Sequence, residues 1–203
     1  MVAVMPYEEP VLAVTDAKEW SQWLTNQDNQ DNQDKRAECV WLVLAKKGVI
    51  GPTTLTYEDA LEEAICHGWV DGRLAKGDEG TFLRRFTPRR LRGGWSKRNV
   101  EIATRMIEEG RMHKSGLVAV EQAKANGNWD RAYAGQATIE IPPDLAAALN
   151  ATPAAKAMFE RLSGANRYSF IYRVITAKSA ETRQRRIERF VAMLVRGETI
   201  HPK

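Results

Sequence analysis

Between Arg84 and Arg98 the chain places seven basic residues (Arg84, Arg85, Arg89, Arg90, Arg92, Lys97 and Arg98) and no acid. Like charges at this density repel one another unless something neutralises them, so the stretch reads as an anion site or, failing that, as a solvated connector. Guanidinium forks suit carboxylate and phosphate, because parallel N–H groups reach two oxygens at once. Arg85 and Arg89 flank Pro88, and Ser96 stands where it caps a following helix. The first N–H groups of a helix have no internal partner, which adds donors for an anion. Trp69 and Trp95 offer flat faces for a planar ligand, or simply pack. Asp71 is either an acid or base in the same cleft or the ion-pair partner of Arg73 or Arg85. With Arg73 and Asn99, the candidate ligand-contacting set is Trp69, Asp71, Arg73, Arg85, Arg89, Trp95, Ser96 and Asn99, with Asp71 as candidate catalytic residue.

These residues need a scaffold. Residues 69–87 read as a hairpin: WVDGRLA alternates, KGDEG turns and TFLRRFT returns. The pleat predicts Val70, Leu74, Phe82 and Phe86 on the core side, and Trp69, Asp71, Arg73, Arg85 and Thr87 on the other. Upstream, Asp16 caps a helix over 16–25, and Cys39–Ala45 is a short apolar strand. Thr56 and Asp59 make a capping box for a helix that Gly68 closes. Downstream, Ser96 opens a helix to Glu109 with Val100, Ala103 and Ile107 inward, and another covers 115–125. The last sixty residues read as helical: a proline-signalled start at Pro142-Pro143, then 153–162, 166–177 and 181–196. The segment 166–177 is apolar nearly all round, which does not separate a buried helix from a strand. The expected fold is therefore α+β, with a small antiparallel or mixed sheet in the N-terminal half and a mostly helical C-terminal half.

Composition bounds the rest. The 203 residues are 43% hydrophobic and 28% charged, with a net charge of +4, ordinary for a globular chain. The best internal boundary lies near 135–143, which divides an α+β region, 1–135, from a helical region, 136–203. Residues 26–34 repeat the triplet NQD, a polar tract with nothing to bury, and 26–35 is expected to be a mobile, dispensable loop. Cys39 and Cys66 sit in apolar runs and read as buried free thiols. His67, His113 and His201 show no zinc spacing, and no metal or cofactor is expected. A Cys66–His67 catalytic dyad would need another His folded nearby, and nothing in the sequence argues for one. There is no phosphate-binding glycine loop, no G-x-G-x-x-G, and no G-x-S-x-G around Ser96. No run approaches a membrane span, and the first 15 residues carry two acids and no Lys or Arg, so a cytoplasmic location is expected.

The pieces GWVDGR at 68–73, RFTPRR at 85–90, WSKRN at 95–99 and EGRM at 109–112, with the terminal NRYSFIYRVITAKSAETRQRRIERFVAML, resemble the YdeI/OmpD-associated family, labelled bacteriocin-protection proteins. The resemblance runs over nearly the whole chain; the NQD triplets depart from it. It implies a protective or stress-related role without an agreed reaction. One reading is thus a binding protein that takes a small anionic or planar ligand in a cleft near 69–99. The other is an enzyme that uses Asp71 and Arg85 in the same cleft. A nucleic-acid binder using both basic clusters (the second is Arg183, Arg185, Arg186 and Arg189) ranks below them, because no recognition motif accompanies the charge.

Overall fold

The computed structural model describes residues 9–29, 37–49 and 51–201. The chain divides into two compact units, one made of residues up to Trp95 with Asn99–Arg131, the other of Ser96–Arg98 with residues from Ala132 onward.

The first unit is α+β. Its four-stranded mixed sheet has the order β1-β2-β4-β3, with β1 Val11–Leu12, β2 Val40–Ala45, β3 Trp69–Lys76 and β4 Thr81–Pro88. β1 runs parallel to β2; β2 with β4, and β4 with β3, are antiparallel. Two helices, α1 (Ala17–Asp28) and α2 (Tyr57–Cys66), supply Trp20, Leu24, Ala60 and Ala64 to a core shared with Val40, Leu42, Leu44, Trp69 and Phe86. Both helices start where the caps predict: the Asp16 side chain accepts from the Glu19 N–H at 2.9 Å, and Thr56 Oγ1 from the Asp59 N–H at 3.2 Å. Each such cap is worth about 1 kcal/mol. Two more helices follow, α3 (Lys97–Glu108, whose first two residues fall in the second unit) and α4 (Lys114–Ala125).

Three sequence expectations need correction. Helix α1 continues through Asn26, Gln27 and Asp28, so the first NQD triplet is helical and not loop. Gln27 is buried, and its side chain accepts from the Ala37 N–H at 2.9 Å. The remainder of the expected loop, 30–35, lies outside the described residues. On α3 the buried positions are Asn99, Ala103 and Met106, one step round the helix from the predicted stripe, which leaves Ile107 exposed.

The hairpin is the third. Direct partners on an antiparallel pair share a face, and the register pairs Asp71 with Phe86 and Phe86 with Val40. Trp69 and Asp71 therefore lie on the helix-covered face with Phe82 and Phe86, opposite to expectation. A bulge between Asp71 and Leu74 then inserts one residue, so Leu74 returns to that same face beyond the helices' cover and is 63% exposed.

The second unit is helical, with α5 (Pro143–Asn150), α6 (Pro153–Glu160), α7 (Gly164–Ile175) and α8 (Ala180–Val195). Leu145, Leu149, Phe159, Phe170, Val174 and Ile187 form part of its core. The ambiguous segment 166–177 is helix α7, capped by Ser163. Ser96 joins this unit through a parallel bridge to Tyr133. No helix among the described residues is long and apolar enough to cross a membrane.

Candidate functional site

The strand register decides what each arginine of the basic stretch meets. Arg84 shares the helix-covered face with Asp71, and its Nη2 and Nε donate to Asp71 Oδ2 at 2.6 and 3.1 Å. The Tyr57 hydroxyl, from the first turn of α2, donates to the same oxygen at 2.8 Å, and the Arg84 guanidinium lies 4.9 Å from the Tyr57 ring centroid. Burial, and then the Asp71 charge, push the Tyr57 hydroxyl pKa up. Burial works against the charge on Arg84, but Asp71 and Tyr57 outweigh it and hold its pKa above the usual value. Asp71 is thus an ion-pair partner, with Arg84 in the place that the sequence assigned to Arg73 or Arg85.

Arg85 points to the opposite face. There its Nε and Nη2 both donate to Glu9 at 2.7 Å, and Trp41 Nε1 donates to Glu9 Oε2 at 2.9 Å. The Arg85 fork is the main cause that pulls the Glu9 carboxyl down to about 2. Arg73 is on this face as well, 5.7 Å from the Trp41 ring centroid. The pair proposed to act together, Asp71 and Arg85, is therefore separated by the sheet itself: neighbouring positions on β4 alternate faces. Trp69 is fully buried against Trp23, with ring centroids 5.5 Å apart, so its ring is core.

Past Pro88 the chain leaves the sheet and the arrangement changes. The Arg89 guanidinium sits 3.6 Å from the Trp95 ring centroid, and Trp95, only 3% exposed, packs on Trp129 at 5.0 Å. The Arg89 N–H donates to the Gly68 carbonyl at 2.9 Å. Between these anchors the loop turns through a Gly93 N–H to Arg90 carbonyl bond at 2.8 Å. Two amides beyond α4 tie it down: Asn126 Nδ2 donates to the Leu91 carbonyl at 2.7 Å, and Asn128 Nδ2 to the Gly93 carbonyl at 3.2 Å. The loop is thus fixed at both ends and in the middle, with the Arg90, Leu91 and Arg92 side chains exposed. None of the ion pairs that the described arginines make uses Arg90 or Arg92. Neither residue stood in the sequence-based set; the signal was their position in a loop rather than on the pleat. Asn99 is buried on α3, and Ser96 belongs to the second unit.

A second constellation in the first unit escaped the sequence. His67 Nδ1 and Asp28 Oδ2 are 2.8 Å apart, and Ser115 Oγ donates to the same oxygen at 2.7 Å. The His67 ring, fully buried, stacks on the exposed His113 at 3.8 Å. Two glycines make this approach possible. A Cβ on Gly116 would stand 2.1 Å from the Cys66 carbonyl oxygen, and one on Gly68 2.8 Å from that of Ser115. Burial, and then the neighbouring His67, lower the His113 pKa. Among the described residues no group of three or more His, Cys, Asp or Glu side chains is arranged to hold a metal ion. Burial pushes the adjacent Cys66 thiol up to about 12, which makes it a poor nucleophile.

Residues 12–119 match the family model described as "Domain of unknown function (DUF8412)". Residues 138–197 match the one described as "Bacteriocin-protection, YdeI or OmpD-Associated". GWVDGR, RFTPRR, WSKRN and EGRM fall in the first match, and the terminal helices from Asn166 to Leu194 in the second. The YdeI/OmpD-associated likeness is thus found over the helical unit rather than over nearly the whole chain. No curated protein and no solved structure gives a match.

Proposed function

The chain belongs to the family described as "Domain of unknown function (DUF8412)", and from that premise we propose that it is an anion-binding protein whose ligand is held by Arg90 and Arg92. One observation carries this reading: two exposed guanidiniums, without a carboxylate partner among the described residues, stand on a loop fixed by Arg89–Trp95 stacking and by Asn126 and Asn128. Elsewhere in the first unit Arg84, Arg85, Arg105 and Arg111 each have an acid of the chain. A preordered loop loses less entropy on binding than a mobile one, which favours affinity. Leu91, 63% exposed between the two arginines, supports a ligand with an apolar part beside its charge. The role is protective rather than catalytic, in keeping with the bacteriocin-protection description of the family that 138–197 matches.

The test is titration with inorganic phosphate and with citrate, by calorimetry and thermal shift. A charge-assisted hydrogen bond contributes roughly 1.5–3 kcal/mol, so Arg90→Ala and Arg92→Ala should each weaken binding about tenfold or more. Arg185→Ala, an equal loss of charge on α8, should leave it unchanged. Equal weakening by all three would show diffuse attraction alone and reject the site.

A further inference from the structure

We infer that the second unit carries an anion pocket of its own, which takes a small organic molecule with an oxyanion head group on an apolar body. A cavity of about 450 Å³ opens beside α8 and is lined by three arginines, Arg173, Arg186 and Arg189. That volume lies within the range of small-molecule sites. Arg186, Arg189, Phe190 and Met193 follow one another at helical spacing, so a single face of α8 presents both the charge and the apolar floor. Phe190 is 5% exposed and belongs to the core, which makes that floor rigid.

The far wall is the C-terminal segment at Thr199 and Ile200, and α7 pins it in place. The Asn166 side chain donates to the His201 carbonyl at 3.0 Å and accepts from the His201 N–H at 2.9 Å. Ser169 Oγ and His201 Nε2 are 2.8 Å apart, and Thr199 Oγ1 donates to the His201 carbonyl. The Arg186 guanidinium is oriented by donating from Nη1 to the Arg173 carbonyl. Among the described residues no acid lines the cavity, and no ion pair uses these three arginines. Their neighbour Arg183 shows the contrast: its fork is filled by both oxygens of Asp144. Three cations around one apolar-floored cavity repel one another until an anion enters, and guanidinium geometry favours carboxylate or phosphate.

The experiment is calorimetric titration of the full chain with inorganic phosphate, hexyl phosphate and octanoate. At least one of the two amphiphilic anions should bind more tightly than inorganic phosphate, and the better of them identifies the head group. Arg173→Gln and Arg189→Gln, both on exposed side chains, should each weaken that binding about tenfold. Arg185→Gln, on the exposed side of the same helix, should leave it unchanged. The titrations are run in an Arg90→Ala/Arg92→Ala background, which removes the loop's own binding and in which this pocket should still bind. No binding of either amphiphile, or equal weakening by Arg185→Gln, would overturn the proposal. Circular dichroism of each variant checks that the helices persist.

Discussion

Arg84 and Arg85 lie on a strand, Arg90 and Arg92 on the loop that follows it, and the same residue type meets opposite fates within nine positions. The strand alternates its side chains across two faces, and each face supplies an acid: Asp71 for Arg84 and Glu9 for Arg85. The loop has no pleat and no cross-strand partner. Its backbone is satisfied by Asn126 and Asn128, and its arginines are left to solvent. An arginine built into a sheet is spent on the fold, whereas one on a fixed loop remains available to a ligand.

The largest expected effect on stability breaks the strand side. Arg84→Ala leaves Asp71 half-buried, with the Tyr57 hydroxyl still donating to it. Removing one partner of a partly buried charged pair should cost about 2 kcal/mol and lower the thermal midpoint by roughly 4–8 °C. Arg85→Ala should cost less, because the Glu9 carboxylate is nearer to water. A drop as large as that of Arg84→Ala would show that the outer face matters equally.

The third prediction is pH dependence. The Glu9 carboxyl is lowered in the folded chain from 4.5 to about 2. Its contribution is fully present above the unfolded value and is lost as pH falls from about 4.5 towards about 2, since the unfolded chain takes up the proton first. Acid titration of the thermal midpoint should therefore be less steep in that window for Arg85→Ala than for wild type. His113, also lowered, adds a milder loss as pH falls below 6.5, and His113→Asn should remove it. His67, Asp28 and Glu63 are the groups that act on it. The smallest effect belongs to the loop: Arg90→Ala and Arg92→Ala should each change stability by less than about 0.5 kcal/mol, as exposed positions do.

Much of the scaffold was legible because caps and stops have local causes. Asp16, Thr56 with Asp59, and Gly68 marked helix ends that the structure reproduces. Two-residue β1 was not legible, because its place comes from pairing with Trp41 and Leu42 and not from a pattern of its own. Of the hairpin, β4 was read on the right faces, but Trp69 to Asp71 were placed on the wrong ones, because Trp69 at the strand start, not Val70, is what α1 and α2 cover, and no alternation announces the bulge at 71–74. Asp28 was discounted with its triplet, yet it binds His67 and Ser115 from elements 39 and 87 residues away. The density of arginine marked the stretch. Which arginines the fold consumes depended on register, and register is a property of three strands together.

The most direct test reads the four arginines in one sample. In a two-dimensional NMR titration that resolves the Arg Nε–H signals, added phosphate should move Arg90 and Arg92 in a saturable way. Arg84 and Arg85, already bonded to Asp71 and Glu9, should stay where they are. Saturable shifts at Arg84 or Arg85 with Arg90 and Arg92 unmoved, or no saturable shift at any of the four, would contradict the account.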